Sequence, residues 1–145
     1  MAHPEDAALH HMRRILQDHG ASWQARLPDL TRPQFAALSV LAASPGIDQV
    51  TLGARAAIDK STLAGMLRRL EERGWVDRTP DRLDRRRQLL HLTAKGKAIV
   101  RAATPIADEL DATALAPLTA TEQQRLTALL TKLTNAIAPT RPHTG

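Results

Sequence analysis

Apolar positions recur with helical spacing along most of the chain and change period only once. In the first segment, residues 6 to about 26, Leu9, Met12, Ile15 and Leu16 form a narrow apolar stripe. Gly20 weakens that segment, where it is expected to end or kink, and Pro28 stops it. Thr31 followed by Gln34 is a capping-box pattern with Pro33 tolerated in the first turn, and Phe35, Leu38, Leu41 and Ala42 then share a face. Ser44, Pro45 and Gly46 break this second helix. Asp48 can cap a short third helix to about Ala57. Asp59 can cap a fourth over Lys60–Glu72, burying Leu63, Met66, Leu67 and Leu70, with Gly74 as its stop.

After Gly74 the pattern becomes strand-like. Residues 75–79 and 88–92 read as two short strands joined by the polar, basic loop 80–87. Such a hairpin is too small to stand alone and must pack on the helices before it. Thr93 can then cap a long helix through Ile99, Val100, Ile106 and Leu110 to about Leu115, with Pro105 an expected kink. A second capping box, Thr119 and Glu122, opens a last helix carrying Leu126, Leu129, Leu130, Leu133 and Ile137. The Pro- and Thr-rich residues beyond are expected to fray. The fold class is therefore mainly α with a small β-hairpin wing.

Composition narrows the picture. The 145 residues suit one domain with an oligomerisation appendage, and 43% hydrophobic content fits a folded chain. Trp23, Trp75 and Phe35 are the only aromatics, so the core must be aliphatic, which favours helix-on-helix packing. Between Arg68 and Arg87 stand eight arginines and five acids, a net of +3 that suggests a polyanion partner, against the plainer reading of a solvated face. There is no cysteine, which excludes thiol catalysis, disulfides and thiolate metal sites. No apolar run reaches the ~20 residues of a membrane span, and the first residues lack the regions of a signal peptide, so a cytoplasmic protein is expected. No Ser-His-Asp set, phosphate-cradling glycine loop or metal-ligand spacing is present, so neither an enzyme nor a cofactor is expected. His10 and His11 diverge by about 100° on a helix, so with His19 they make a poor metal set.

Order carries the functional signal: short helix, turn, helix ending in glycine, strand, basic loop, strand. A helix-turn-helix lays its second helix in the major groove of DNA. Lys60, Ser61 and Thr62 occupy the first turn of that candidate recognition helix, where short polar groups and terminal N–H groups meet phosphates or base edges. Arg68 and Arg69 follow one to two turns later.

Four stretches together make a resemblance: residues 59–63 (DKSTL), 69–78 with its RLEERGWV run, Asp84-Arg85-Arg86, and Leu92-Thr93-Ala94-Lys95-Gly96. Over residues 30 to 137 the chain resembles the multiple-antibiotic-resistance regulator (MarR) family. The resemblance implies a homodimer in which residues 1–30 form an N-terminal dimerisation helix and 94–138 the C-terminal dimerisation helices. Residues 31–93 would be the winged helix-turn-helix DNA-binding domain and 139–145 a flexible tail. Two winged domains would straddle a palindromic operator, with repression the expected outcome. Arg86 would enter the minor groove, Asp84 would hold the wing by pairing with an arginine, and Arg82, Arg85 and Arg87 could meet phosphates. Trp75 replaces a usual aliphatic residue and is read as packing between hairpin and helix.

Many members of the family release DNA on binding a small aromatic acid. Here the first helix carries His10 and His11 before Arg13 and Arg14. The imidazoles could bond a ring substituent, an arginine could take the carboxylate of a hydroxylated benzoate or pyridine carboxylate, and Trp23 could stack on the ring. The plainer alternative leaves these side chains in solvent. A sequence-tolerant architectural or RNA-binding winged-helix protein is the rival function, separable by sequence preference.

Overall fold

The computed structural model describes residues 3–137. A 3-10 turn at Pro4–Asp6 leads into α1 (Ala8–Arg26), α2 (Arg32–Ala43), α3 (Gln49–Ala56) and α4 (Lys60–Glu72). The strands β1 (Val76–Pro80) and β2 (Gln88–Leu92) follow, then α5 (Ala94–Leu115) and α6 (Ala120–Asn135). The mainly helical fold with a β-hairpin is as the sequence pattern predicts. The expected tail at 139–145 lies outside the described residues.

Caps set most boundaries. Thr31 and Thr119 each complete a reciprocal capping box, and Asp48, Asp59 and Thr93 each accept from a backbone N–H of the first turn. The end of α4 is equally specified. Gly74 adopts φ +73°, its N–H donates to the Glu71 carbonyl, and the Trp75 N–H reaches the Leu70 carbonyl. That paired 5→2 and 6→1 pattern needs a left-handed residue, which glycine supplies without strain.

Three expectations need correction. The first helix begins at Ala8 rather than residue 6, because Pro4–Asp6 winds as a 3-10 turn. It also runs on through Gly20, where a Cβ would lie 3.1 Å from Arg32 Nη2. The glycine admits a guanidinium against the helix. Trp75 precedes β1 instead of opening it, since its backbone is committed to the α4 terminus and its buried ring to the core. Pro105 lies inside α5 without ending it.

The hairpin is antiparallel, with Val76 opposite Leu92 and Arg78 opposite Leu90. A third short piece of sheet joins it: Gly46 N–H donates to the Leu90 carbonyl at 2.9 Å and Leu90 N–H to the Ile47 carbonyl at 2.8 Å. The wing is thereby stitched to the loop that enters α3. Leu38, Leu41, Leu52, Leu63, Leu67, Leu70, Val76 and Leu90 are fully buried in one aliphatic core under α2, α3, α4 and the hairpin. Gly96 closes its far edge, because a Cβ there would stand 2.1 Å from the Trp75 carbonyl oxygen. Thr93 fixes the same joint, donating from Oγ1 to the Gly74 carbonyl and accepting from the Gly96 N–H.

A smaller cluster of Trp23, Ala107 and Leu110 holds α1 against α5, with Phe35 alongside. Beyond it α1 buries nothing else, and α6 buries no residue at all. Leu9, Ile15, Leu16, Leu129, Leu130, Leu133 and Ile137 are exposed. Among the described residues, no helix is long and apolar enough to cross a membrane.

Candidate nucleic-acid interface

The first turn of α4 is organised by Asp59. Its carboxylate accepts from the Thr62 backbone N–H at 2.9 Å, from the Thr62 hydroxyl at 2.7 Å and from the Ser61 hydroxyl at 2.9 Å. These bonds, the Thr62 N–H foremost, hold the Asp59 carboxyl down at about 2. Ser61 and Thr62 thus have their hydroxyl protons engaged and their oxygen lone pairs outward, beside the exposed Lys60. Arg68 and Arg69 project from later turns and are exposed.

The eight arginines between 68 and 87 divide into two groups. Arg73 donates to the Asp29 carbonyl at 2.7 Å and lies 4.8 Å over the Trp75 ring. Arg78 bonds Glu71 of α4 and Gln49 of α3, and Arg87 bonds Asp48 at 2.7 Å. Those three fasten the fold. Arg68, Arg69, Arg82, Arg85 and Arg86 pair with no carboxylate among the described residues. The unpaired five sit on two elements only, α4 and the wing tip.

The wing tip is shaped by its own aspartates, and one expected role changes. Asp84 does not pair with an arginine side chain: its Oδ1 accepts the Arg86 backbone N–H at 3.1 Å. Asp81 does the same for the Leu83 N–H at 2.9 Å. Such turns form because a short carboxylate reaches a backbone donor two residues on more readily than it holds a long, solvated guanidinium. Arg82 and Arg85 remain exposed on the tip with Arg86.

Of the expected ligand residues on α1, His10 and Arg13 are brought together, but the set as a whole forms no single site. Arg13 faces a shallow groove of about 810 Å³ shared with Leu9, Met12, Leu16, Gln17 and Arg32. His10 lies behind it, its Nδ1 3.2 Å from Arg13 Nη2, while His11 and Arg14 are exposed and do not line the groove. Trp23 stands thirteen residues beyond His10, about 20 Å at helical rise. It is buried, donates Nε1–H to the Leu30 carbonyl at 2.6 Å and packs on Phe35. It is a core residue and cannot stack on a ring held at His10.

Two side chains that the sequence did not single out for an aromatic acid, His19 and Arg32, lie against each other. His19 Nε2 is 2.8 Å from Asp111 on α5, and its Nδ1 is 3.4 Å from Arg32 Nη1. Gly20, which lets Arg32 approach, was the available signal.

A model of the MarR family matches residues 29–87, from the entry to α2 through the wing. The transcriptional regulator HosA of Escherichia coli O157:H7 is 46% identical over 128 residues, covering 88% of this chain and 95% of HosA. The chain belongs to the MarR family. It is thus a DNA-binding transcription regulator of winged-helix fold. A second relative, the HTH-type transcriptional repressor NicR of Pseudomonas putida, is 32% identical over 126 residues, 86% of this chain and 80% of NicR. Among solved structures, Bordetella bronchiseptica BpsR, described with the regulation of its DNA binding by 6-hydroxynicotinic acid, superimposes with a TM-score of 0.90. It is 30% identical, over 94% of this chain and 99% of BpsR. Within this MarR chain, the matched segment holds both groups of unpaired arginines.

Proposed function

We propose that this MarR-family chain is a repressor that grips a palindromic operator as a homodimer and lets go when a small aromatic carboxylate binds. The observation that carries the DNA reading is that, of the eight arginines between 68 and 87, the five without a carboxylate partner all sit on α4 and the wing tip. Lys60, Ser61 and Thr62 would meet phosphates or base edges in the major groove, with Arg68 and Arg69 behind them. Arg86 would enter the minor groove, flanked by Arg82 and Arg85, on a tip that Asp84 shapes. The exposed apolar faces of α1 and α6 support dimerisation through the two ends of the chain. Repression is inferred from the likeness to NicR.

The effector reading is revised by the geometry. Arg13 and Arg32 share the α1–α2 groove, and two guanidiniums over an apolar floor suit a carboxylate carried on a ring. His10 would orient Arg13, and His11 and Arg14 would stay in solvent. The regulation of BpsR by 6-hydroxynicotinic acid supports a hydroxylated benzoate or pyridine carboxylate as the class to try. An inducer must bind the DNA-incompetent arrangement more tightly, since equal affinity for both states shifts nothing.

The test is a gel shift with a duplex selected by the chain from a randomised pool, repeated with a panel of those acids. One palindromic footprint, released by an acid in wild type but not in Arg13→Ala or Arg32→Ala, is the expected result. Uniform coating of any duplex would replace this reading with an architectural one.

A further inference from the structure

Arg87 lies in the wing yet differs in kind from Arg86 beside it. Its Nε donates to Asp48 Oδ2 at 2.7 Å, and its Nη1 stands 4.0 Å from Asp81 Oδ2. The backbone around it closes the wing loop: Asp81 N–H donates to the Arg87 carbonyl at 2.9 Å, and Arg87 N–H to the Asp84 carbonyl at 3.0 Å. Asp48 is the N-cap of α3, where its Oδ1 accepts the Thr51 N–H at 2.8 Å. One carboxylate therefore caps the first helix of the helix-turn-helix and anchors the last residue of the wing loop. The preceding residue of the loop, Arg86, has no carboxylate partner.

We propose that Arg87 is a positioning residue: through Asp48 it fixes the wing tip relative to the helix-turn-helix, so that Arg86 reaches DNA in register with α4. The proposal rests on the reading of Arg86 as a DNA contact. A guanidinium with carboxylates on two sides has its charge locally balanced and is poorly placed to neutralise a phosphate. The two strands alone leave the tip free to pivot, because the sheet bonds to Ile47 and Gly46 act at Leu90, three residues beyond Arg87. A bond from Arg87 to α3 removes that pivot before DNA arrives, so its ordering cost is not charged to binding.

Full-length Arg86→Ala, Arg87→Gln, Asp48→Asn and the double variant Arg86→Ala/Arg87→Gln are titrated with the selected duplex across a salt series, with Tm measured alongside. Asparagine keeps the cap of α3 and removes the charge that holds Arg87. Arg87→Gln and Asp48→Asn are each expected to raise Kd roughly three- to tenfold, with the salt slope of the wild type. In the Arg86→Ala background, Arg87→Gln should add nothing. A slope shallower by about 0.9 per lost contact would make Arg87 a phosphate ligand and overturn the proposal. A lower Tm with unchanged affinity would overturn it too, leaving a role in folding only. If Arg86→Ala binds as wild type, it is the wing reading itself that fails. If Arg86→Ala is weak and Arg87→Gln is not, only the positioning role fails.

Discussion

The winged unit and the two terminal helices treat the same residue, leucine, in opposite ways. In the winged unit Leu38, Leu41, Leu52, Leu63, Leu67, Leu70 and Leu90 are at most 1% exposed. On α1 and α6, Leu9, Leu16, Leu129 and Leu133 are 76%, 56%, 56% and 56% exposed. Leu90 on β2 apart, both sets follow helical spacing, so periodicity alone cannot tell a face that is satisfied within the chain from one that is not. Burial separates them. The winged unit closes its own core, whereas the terminal helices present an apolar surface that a lone chain leaves in water.

Breaking the closed core should have the largest effect. Leu67→Ala removes a fully buried side chain in the centre of α4 and is expected to cost about 2–5 kcal/mol, read as a lower midpoint in urea. Leu133→Ala on α6 should leave that midpoint nearly unchanged at concentrations where the chain is monomeric. Equal losses from the two would erase the distinction between the regions. The joint comes next. Gly96→Ala drives a methyl group against the Trp75 carbonyl, so α5 must move away from the wing, at about 1–3 kcal/mol for overpacking. It should weaken DNA binding as well, because α5 carries α6 and with it half of the proposed dimer surface.

A change confined to the terminal region sharpens the comparison from the other side. Leu129→Lys with Leu133→Lys puts two charges on the exposed face of α6. Sedimentation should then show a monomer with an unaltered far-ultraviolet spectrum, and affinity for a two-half-site duplex should fall by at least tenfold. A persistent dimer would move the interface elsewhere.

The same contrast explains what was legible in the sequence. Caps announce themselves locally, so Thr31, Asp48, Asp59, Thr93 and Thr119 set helix starts close to where they lie. The Leu92-Thr93-Ala94-Lys95-Gly96 motif was legible as a pattern, but its reason is three-dimensional: a leucine for the core, a threonine for the cap, a glycine against Trp75. The single bridge between Ile47 and Leu90 has no period to detect. Nor could sequence divide the arginines, because Arg78 and Arg87 find partners up to 39 residues away. Which arginine is unpaired depends on tertiary packing, and so the interface could be located to a segment but not resolved within it. The α1 groove shows the same limit: Arg13 was visible, Arg32 was not.

The smallest expected effect concerns two of the helix-start carboxylates, one taken from each region. Asp59 caps α4 and is held at about 2, below its ordinary 3.8, first by the Thr62 backbone N–H. Glu122 in the capping box of α6 is also lowered, first by the Thr119 N–H. A folded-state value below the unfolded one means the unfolded chain binds more protons in between. The contribution of Asp59 is therefore complete above pH ~4 and is lost as pH falls from there through about 2. Asp59→Asn keeps an acceptor for the Thr62 N–H but no longer titrates. Its Tm should consequently fall less steeply than wild type between pH 4 and 2, with the two curves parallel above pH 5. Glu122→Gln should leave that acid slope almost as in wild type, because α6 buries nothing and its fraying is weakly coupled to unfolding of the winged core. A Glu122→Gln curve flattened as much as that of Asp59→Asn would show α6 unfolding in one step with the winged unit even in a monomer, and the separation of the two regions would then hold for packing but not for cooperativity.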